Sequence, residues 1–241
     1  MLKMNNQKIE KIFEFLKTHH HFNHSIQVNE IKYTHLNGAS IEDKAIRLLR
    51  NIYFTQSQPN LNHAKAFFER IENKRNCLAT FTGFRNLILQ NEKDTIFKAL
   101  HAFDGWGEKT SALLIKSLYL IQHNPNLHEK FWSDIDLSTE QLMLPVDAVI
   151  KHIFKKINGT EMNFDSINNF LINRGYGNHE QMLIWDDLWF WGFITQNSQN
   201  KIRNIEWNEA KYWVIRESSK HPNDIKKIHT LAEKFISLLN K

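Results

Sequence analysis

A glycine-rich turn followed by a lysine has the residue types and spacing for phosphate chemistry. Residues 104–107 are Asp-Gly-Trp-Gly, and they separate two apolar patterns that both have helical spacing. A turn this tight uses positive φ, which glycine adopts at no steric cost. Backbone N–H groups at the start of a helix bind phosphate well, and Lys109 lies just inside the second helix. We therefore predict a phosphate site with an adjacent lysine, although a plain helix–turn–helix corner is the structural alternative.

A carboxylate opens a later helix. Asp147 follows Pro145 in the string Leu144-Pro-Val-Asp-Ala, where an apolar helical pattern begins that runs from Val146 to Ile157. A carboxylate in this position caps the helix N-terminus and interacts favourably with the helix dipole. Taken alone, Asp147 is therefore predicted to be a structural cap.

Together the two strings resemble a known family. Gly105-Trp-Gly-Glu-Lys-Thr-Ser-Ala112, followed by Pro145-Val-Asp147 at a helix start, resembles the helix-hairpin-helix superfamily of base-excision DNA glycosylases. The resemblance spans residues 105–153, and the rest of the chain supports it only through its helical character. It implies an all-α fold of two helical subdomains with a DNA-binding cleft between them. Asp147 comes 38 positions after Lys109, and this long connection is similar to the archaeal 8-oxoguanine DNA glycosylase/lyase branch.

The resemblance implies a bifunctional DNA N-glycosylase and AP lyase of base excision repair. Lys109 would attack C1′ of the damaged nucleotide, expel the base and form a Schiff base, which then loses the 3′ phosphate by β-elimination. Asp147 would support the positive charge that develops on the sugar, as carboxylates do near such centres. The residues that would hold DNA phosphates are Gly105, Trp106, Gly107 and Thr110. Packing of Trp106 beneath the turn is the alternative.

Besides the long connection, two features depart from the common family pattern or exclude some of its branches. Val149 stands where many relatives carry a histidine, so Lys151 or His152 are candidates to replace its phosphate contact. The single cysteine, Cys77, rules out an intrachain disulfide and a cysteine-ligated iron–sulfur cluster. The thirteen histidines form no HExxH motif, and we predict no metal site. The only ion that the resemblance implies is a monovalent cation shared between the turn's carbonyls and a phosphate.

An aromatic and acidic cluster is the candidate base pocket. Residues 185–191 hold three tryptophans and two aspartates in seven positions. Asp187 and Trp191 are four residues apart and therefore share a helix face. A flipped base needs an aromatic surface for stacking and polar groups for its edge. Asp186 with Phe190 is the competing register, and burial of the tryptophans in the core is the structural alternative.

The acceptor character of Asp187 favours a purine substrate. A carboxylate only accepts hydrogen bonds, and guanine-type bases present both N1–H and N2–H₂ on one edge. Together with this argument, the resemblance to the archaeal branch implies 8-oxoguanine as the substrate. Gln27, in the early polar stretch, matches a glutamine that reaches the base in the archaeal relatives. The alternatives are a glycosylase for oxidised pyrimidines or alkylated purines, and a non-catalytic helix-hairpin-helix DNA-binding protein.

The elements that must position these residues are almost all helical. Ser40–Asp43 is predicted to be a capping box, residues 23–38 an extended segment or short hairpin, and His19–His21 a helix end. Residues 124–144 form a polar connection with one short helix. Beyond an N-terminal helix around 9–16, helices are predicted at 40–56, 61–72, 81–90, 93–102, 107–123, 146–157, 165–173, 179–197, 207–218 and 222–240.

Size and charge fit this scheme. The 241 residues carry 31 Lys and Arg against 26 Asp and Glu, a mild positive charge that suits a polyanion. We predict one subdomain at 39–125 and a second formed by 1–38 with 126–241. No segment has the apolar length of a signal peptide or a membrane span. The predicted partner is double-stranded DNA with a damaged base, bound by a monomer in the cytoplasm, at the nucleoid, and not at a membrane.

Overall fold

The computed structural model describes residues 6–89, 91, 94–199, 202–215 and 222–240. This part of the chain is mostly helical, which confirms the predicted all-α class apart from one small β-hairpin. The α-helices are α1 (Asn6–Glu30), α2 (Ile41–Tyr53), α3 (Leu61–Glu72), α4 (Phe81–Ile88), α5 (Ile96–His101), α6 (Glu108–His123), α7 (Pro125–His128), α8 (Ala148–Asn158), α9 (Phe164–Leu171), α10 (His179–Ile194), α11 (Glu209–Ile215) and α12 (Pro222–Asn240).

Short irregular elements complete the fold. π-Helical turns follow α1 and α9, at Ile31–His35 and Ile172–Tyr176, and a 3₁₀ helix at Arg75–Ala79 precedes α4. Strands β1 (Gln196–Gln199) and β2 (Ile202–Ile205) pair antiparallel. The sequence did not predict these strands, because their composition is polar and they lack the β-branched alternation of a half-buried strand.

The chain divides into two compact units. The central unit is Gln27–Pro145, and the terminal unit combines Met1–Ile26 with Val146–Lys241. The predicted subdomain limits at 39 and 125 would instead assign 27–38 and 126–145 to the terminal unit. The second of these stretches belongs to the central unit because its side chains pack there and cap its helices.

The connection 124–144 is part of the central core. Trp132 is almost fully buried, its ring lies 5.1 Å from that of Phe84, and its Nε1–H donates to the carbonyl of Leu78 at 2.7 Å. Two carboxylates of the same segment bind helix N-termini. Asp134 accepts the first two N–H groups of α4 at 2.8 and 2.9 Å, and Glu140 accepts those of α5 at 2.5 and 3.3 Å. The connection therefore fixes the helix that leads into the glycine turn.

Helix α1 extends much further than predicted. The expectation of an extended segment at 23–38 is wrong, because the helix continues to Glu30 and a π-turn follows. His19–His21 consequently lie within the helix rather than at its end. Phe22 is buried, and its ring lies 6.1 Å from that of Trp191 on α10. Such tertiary packing stabilises a helical segment whose own polar sequence gives only a weak helical signal.

The terminal unit is built around aromatic side chains from α1, α10 and α12. The ring of Phe15 lies 5.0 Å from that of Trp191 and 5.6 Å from that of Phe235. The β-hairpin attaches to α8 through Gln196, a completely buried residue whose Nε2 donates to the carbonyl of Val149 at 3.1 Å. The hairpin thus fixes the first turn of α8, where Asp147 lies.

Candidate functional site

The glycine turn between α5 and α6 needs glycine at position 105. Gly105 has φ +86°, and a Cβ added there would come within 2.1 Å of the Tyr53 hydroxyl oxygen. The carbonyl of Gly105 accepts a hydrogen bond from Nε2 of Gln56 at 3.0 Å. Both the positive φ and the close approach of Tyr53 therefore exclude a side chain.

Trp106 packs beneath the turn. Its side chain is only 2% exposed, and its ring lies 5.1 Å from that of Phe67 and 5.7 Å from that of Tyr53. Its backbone N–H donates to the carbonyl of Phe103 at 3.0 Å. Neither its ring nor its N–H is presented to a phosphate, so we assign Trp106 a packing role in place of the predicted phosphate contact.

The start of α6 is open. Gly107 is the N-cap residue, and no side chain in the described part of the chain caps this helix. By contrast, α5 is capped by the Thr95 hydroxyl, which accepts from the N–H of Lys98 at 3.2 Å. Gly107 is exposed, and no heavy atom would contact a Cβ built on it. Thr110 is 2% exposed, so its hydroxyl is not presented to a phosphate, and any phosphate contact at this helix start comes from backbone N–H groups.

Lys109 lies in the first turn of α6, as predicted. The residue is half-buried, and its Nζ donates to the carbonyl of Thr55 at 3.3 Å. Thr55 belongs to the loop after α2 that also supplies Gln56, the partner of Gly105. One loop thus orients both the turn and the lysine.

Asp147 is the N-cap of α8, also as predicted. Its Oδ1 accepts the N–H groups of Val149 and Ile150 at 2.8 and 2.9 Å, and the residue is half-exposed. The predicted phosphate substitutes lie along the same helix, where Lys151 is exposed and His152 is half-buried. Burial lowers the pKa of His152, and the neighbouring basic side chains lower it further. Lys109 belongs to the central unit and Asp147 to the terminal unit.

Asp187 is completely buried and already bound by two donors from α1. His20 Nδ1 lies 2.8 Å from its Oδ2, and Asn23 Nδ2 donates to its Oδ1 at 2.9 Å. Burial raises the pKa of Asp187 to about 6, although the hydrogen bond and charge of His20 oppose this shift. The sequence did not reveal this cluster, because its two halves are 167 positions apart and the pattern at residues 19–21 predicts a helix end.

Trp191 is a core residue in this structure. It is 0% exposed, its ring is surrounded by those of Phe15, Phe22 and Phe235, and its Nε1–H has no acceptor among the described residues. The competing register is buried as well, since Asp186 and Phe190 are 3% and 0% exposed. Neither register presents a stacking surface to solvent.

Gln27 lies on α1, four residues after Asn23 and seven after His20. These spacings place the three polar side chains on one face of the helix. The Gln27 side chain is half-exposed, and the residue begins the central unit, whereas His20 and Asn23 belong to the terminal unit. The polar i, i+3, i+7 spacing of His20, Asn23 and Gln27 is the sequence signal by which these residues could have been linked.

The comparisons with known proteins return no family for this chain. No family model, curated protein or solved structure matches it. None of the helices in the described ranges combines the length and apolarity needed to cross a membrane. In the same ranges, no three His, Cys, Asp or Glu side chains are grouped closely enough to bind a metal ion.

Proposed function

We propose that this chain is a bifunctional DNA glycosylase and AP lyase of the helix-hairpin-helix superfamily, with 8-oxoguanine as substrate. One observation carries the proposal: an uncapped helix start after a glycine turn, with Lys109 in its first turn. Backbone N–H groups there bind a DNA phosphate, which places the sugar of a neighbouring nucleotide near the lysine amine. Asp147, half-exposed at the start of α8, supports the proposal through its type and position.

In the proposed reaction the Lys109 amine first attacks the sugar and then, as an iminium, promotes β-elimination. Neutral Lys109 attacks C1′, the N-glycosidic bond breaks, and the base leaves with the bonding electrons and takes up a proton. Opening of the sugar then gives an iminium between Nζ and C1′. Loss of a proton from C2′ expels the 3′ phosphate, and water finally releases the unsaturated aldehyde and restores the amine. Asp147 stabilises the positive charge at C1′ electrostatically.

Base recognition, in this proposal, is a replacement of donors at Asp187. His20 and Asn23 already supply two donors to the carboxylate. Guanine-type bases supply two through N1–H and N2–H₂, so a flipped base would satisfy Asp187 once these side chains move away. Trp191 would then have to move out of its aromatic cluster to stack on the base. Burial without replacement donors would be costly for the carboxylate.

Borohydride trapping on a panel of duplexes tests this function. The panel contains 8-oxoguanine, thymine glycol, uracil and a preformed abasic site. We expect a covalent complex with 8-oxoguanine and with abasic DNA. Asp187→Asn should abolish trapping on 8-oxoguanine and retain it on abasic DNA, because only base release needs two acceptor oxygens, and the amide has one acceptor and one donor. Trapping on thymine glycol in place of 8-oxoguanine would refute the assignment of 8-oxoguanine as substrate. Binding without trapping on any duplex would favour a non-catalytic DNA-binding protein.

A further inference from the structure

A groove on the central unit is lined by three arginines. Its volume is about 560 Å³, within the range of small-molecule sites. Arg47 and Arg50 enter it from α2, and Arg75 enters from the 3₁₀ helix. We call this feature the arginine groove. Its two carboxylates are Asp43 and Glu72.

The two carboxylates are committed to two of the arginines. Arg75 pairs with Asp43 and also binds Glu72 at 3.3 Å. Arg50 binds the other oxygen of Glu72 at 3.4 Å. Arg47 is exposed, and none of the ion pairs among the described residues of this region involves it. The groove therefore has one more cation than anions, and that cation is not neutralised.

The arrangement holds like charges together. Arg47 and Arg50 are three positions apart on α2 and face the same groove, and like charges at this spacing destabilise a helix. The paired side chains of Arg50, Arg75 and Glu72 are each 38–52% exposed, so their ion pairs contribute little to stability. The ion pairs instead orient the guanidinium groups. Arg50 is also positioned by Phe68, since its Cζ lies 5.4 Å from the centre of the Phe68 ring.

We propose that the arginine groove binds a phosphate group, with Arg47 as its principal contact and Arg50 completing the site. Guanidinium groups bind phosphate through paired N–H donors, and preorientation reduces the entropy that binding costs. The phosphate belongs either to the backbone of bound DNA or to a free nucleotide. The site is independent of Lys109, and a chain without lyase activity would retain it.

The test compares Arg47→Gln with Lys65→Gln in the full-length protein. Lys65 is an exposed helical cation of the same unit outside the groove, 3.8 Å from Glu69, so both variants remove one charge. Calorimetry with pyrophosphate and with a deoxynucleoside monophosphate measures free phosphate ligands. Fluorescence anisotropy with a short undamaged duplex, repeated over a salt series, measures DNA. Arg47→Lys keeps the charge and controls for folding.

We expect Arg47→Gln to weaken the affinity for at least one probe by about tenfold, as for loss of a charge-assisted hydrogen bond. Lys65→Gln should change the affinity for the same probe by less than about twofold. If DNA is the ligand, the salt dependence also falls by about one unit of slope. If a free nucleotide is the ligand, only the calorimetric affinity falls. Equal effects of the two variants, or a wild-type protein that binds none of the probes, would overturn the proposal. Borohydride trapping reports on the lyase separately.

Discussion

Two glycines with the same backbone conformation have different surroundings. Gly105 and Gly159 have φ +86° and +77°, but only Gly105 has a neighbour in the way, the hydroxyl of buried Tyr53. We expect Gly159→Ala to lower the free energy of unfolding by about 1 kcal/mol through backbone strain alone. Gly105→Ala should cost at least about 2 kcal/mol more, since the Tyr53 ring is buried and packed against Phe67, Phe68 and Trp106. Urea denaturation measures both, and equal losses would contradict the close packing of the turn.

The pair formed by Asp187 and His20 makes stability depend on pH. Burial raises the pKa of Asp187 from 3.8 to about 6. Burial alone would lower the pKa of His20, but the hydrogen bond and charge of Asp187 outweigh it and, with Asp186 and Glu180, raise the pKa. Both groups therefore bind protons more tightly in the folded chain than in the unfolded one. Their stabilisation is fully present at low pH and is lost as pH rises through the folded pKa values.

Between pH 5 and pH 8 we expect the wild-type free energy of unfolding to fall by about 1–2 kcal/mol through Asp187. Asp187→Asn should flatten that decline, because the amide does not titrate. Chemical denaturation at a series of pH values measures the difference between the two proteins. A wild-type curve that runs parallel to the variant would show that Asp187 does not titrate in this range.

At the scale of elements, substitutions at the open start of α6 should affect DNA binding without lowering stability. Gly107 has φ −93° and ψ 172°, values that any residue adopts at an N-cap. Gly107→Asp supplies a cap together with a negative charge, and Gly107→Asn supplies a cap alone. We expect both to keep or raise stability by a few tenths of a kcal/mol. Gly107→Asp should weaken duplex binding by more than about tenfold relative to Gly107→Asn, because its charge repels a phosphate.

Anisotropy on undamaged duplex DNA and thermal denaturation measure these two effects. The matched asparagine separates the charge from the added side chain. If the aspartate and asparagine variants bind DNA equally well, the start of α6 does not bind phosphate. The proposed function would then lose its main support.

The connection 124–144 stabilises the central unit through long-range caps. Glu140 is 5% exposed and binds the first two N–H groups of α5. Glu140→Ala should lower the free energy of unfolding by about 1–3 kcal/mol, because one buried and one part-buried N–H group lose their acceptor. Glu129→Ala, at an exposed site in the same connection, should cost less than about 0.5 kcal/mol. Urea denaturation of the two variants checks this, and similar losses would contradict the capping role.

Local signals in the sequence were sufficient to predict most helices. The Ser40 capping box is present as predicted, since Ser40 and Asp43 bind each other's backbone N–H. The limits of the helices at 61–72 and 222–240 also agree with the prediction. The β-hairpin and the caps from Asp134 and Glu140 were not predictable in this way. The caps depend on partners tens of residues away, which composition and periodicity do not report. The strands pair locally, but their polar composition lacks the β-branched alternation of a strand.

For the whole molecule, the candidate site likewise contains features that local sequence determines and features that depend on distant partners. The sequence placed Lys109 and Asp147 at helix starts, and the structure agrees, because glycine, proline and aspartate determine those starts locally. It did not predict that Asp187 is bound by His20 and Asn23, nor that Trp191 is enclosed by α1 and α12. These arrangements form only when distant helices pack together, so a base pocket inferred from one helix was incomplete.

The identity of the lysine that reacts with DNA is the central claim. Its most direct measurement is peptide mapping of the complex trapped by borohydride on abasic DNA. The proposal predicts a single adduct on Lys109 and loss of trapping in Lys109→Gln, with Lys98→Gln, an exposed lysine of neighbouring α5, as the control. An adduct on any other lysine, or trapping that persists in Lys109→Gln, would contradict the account.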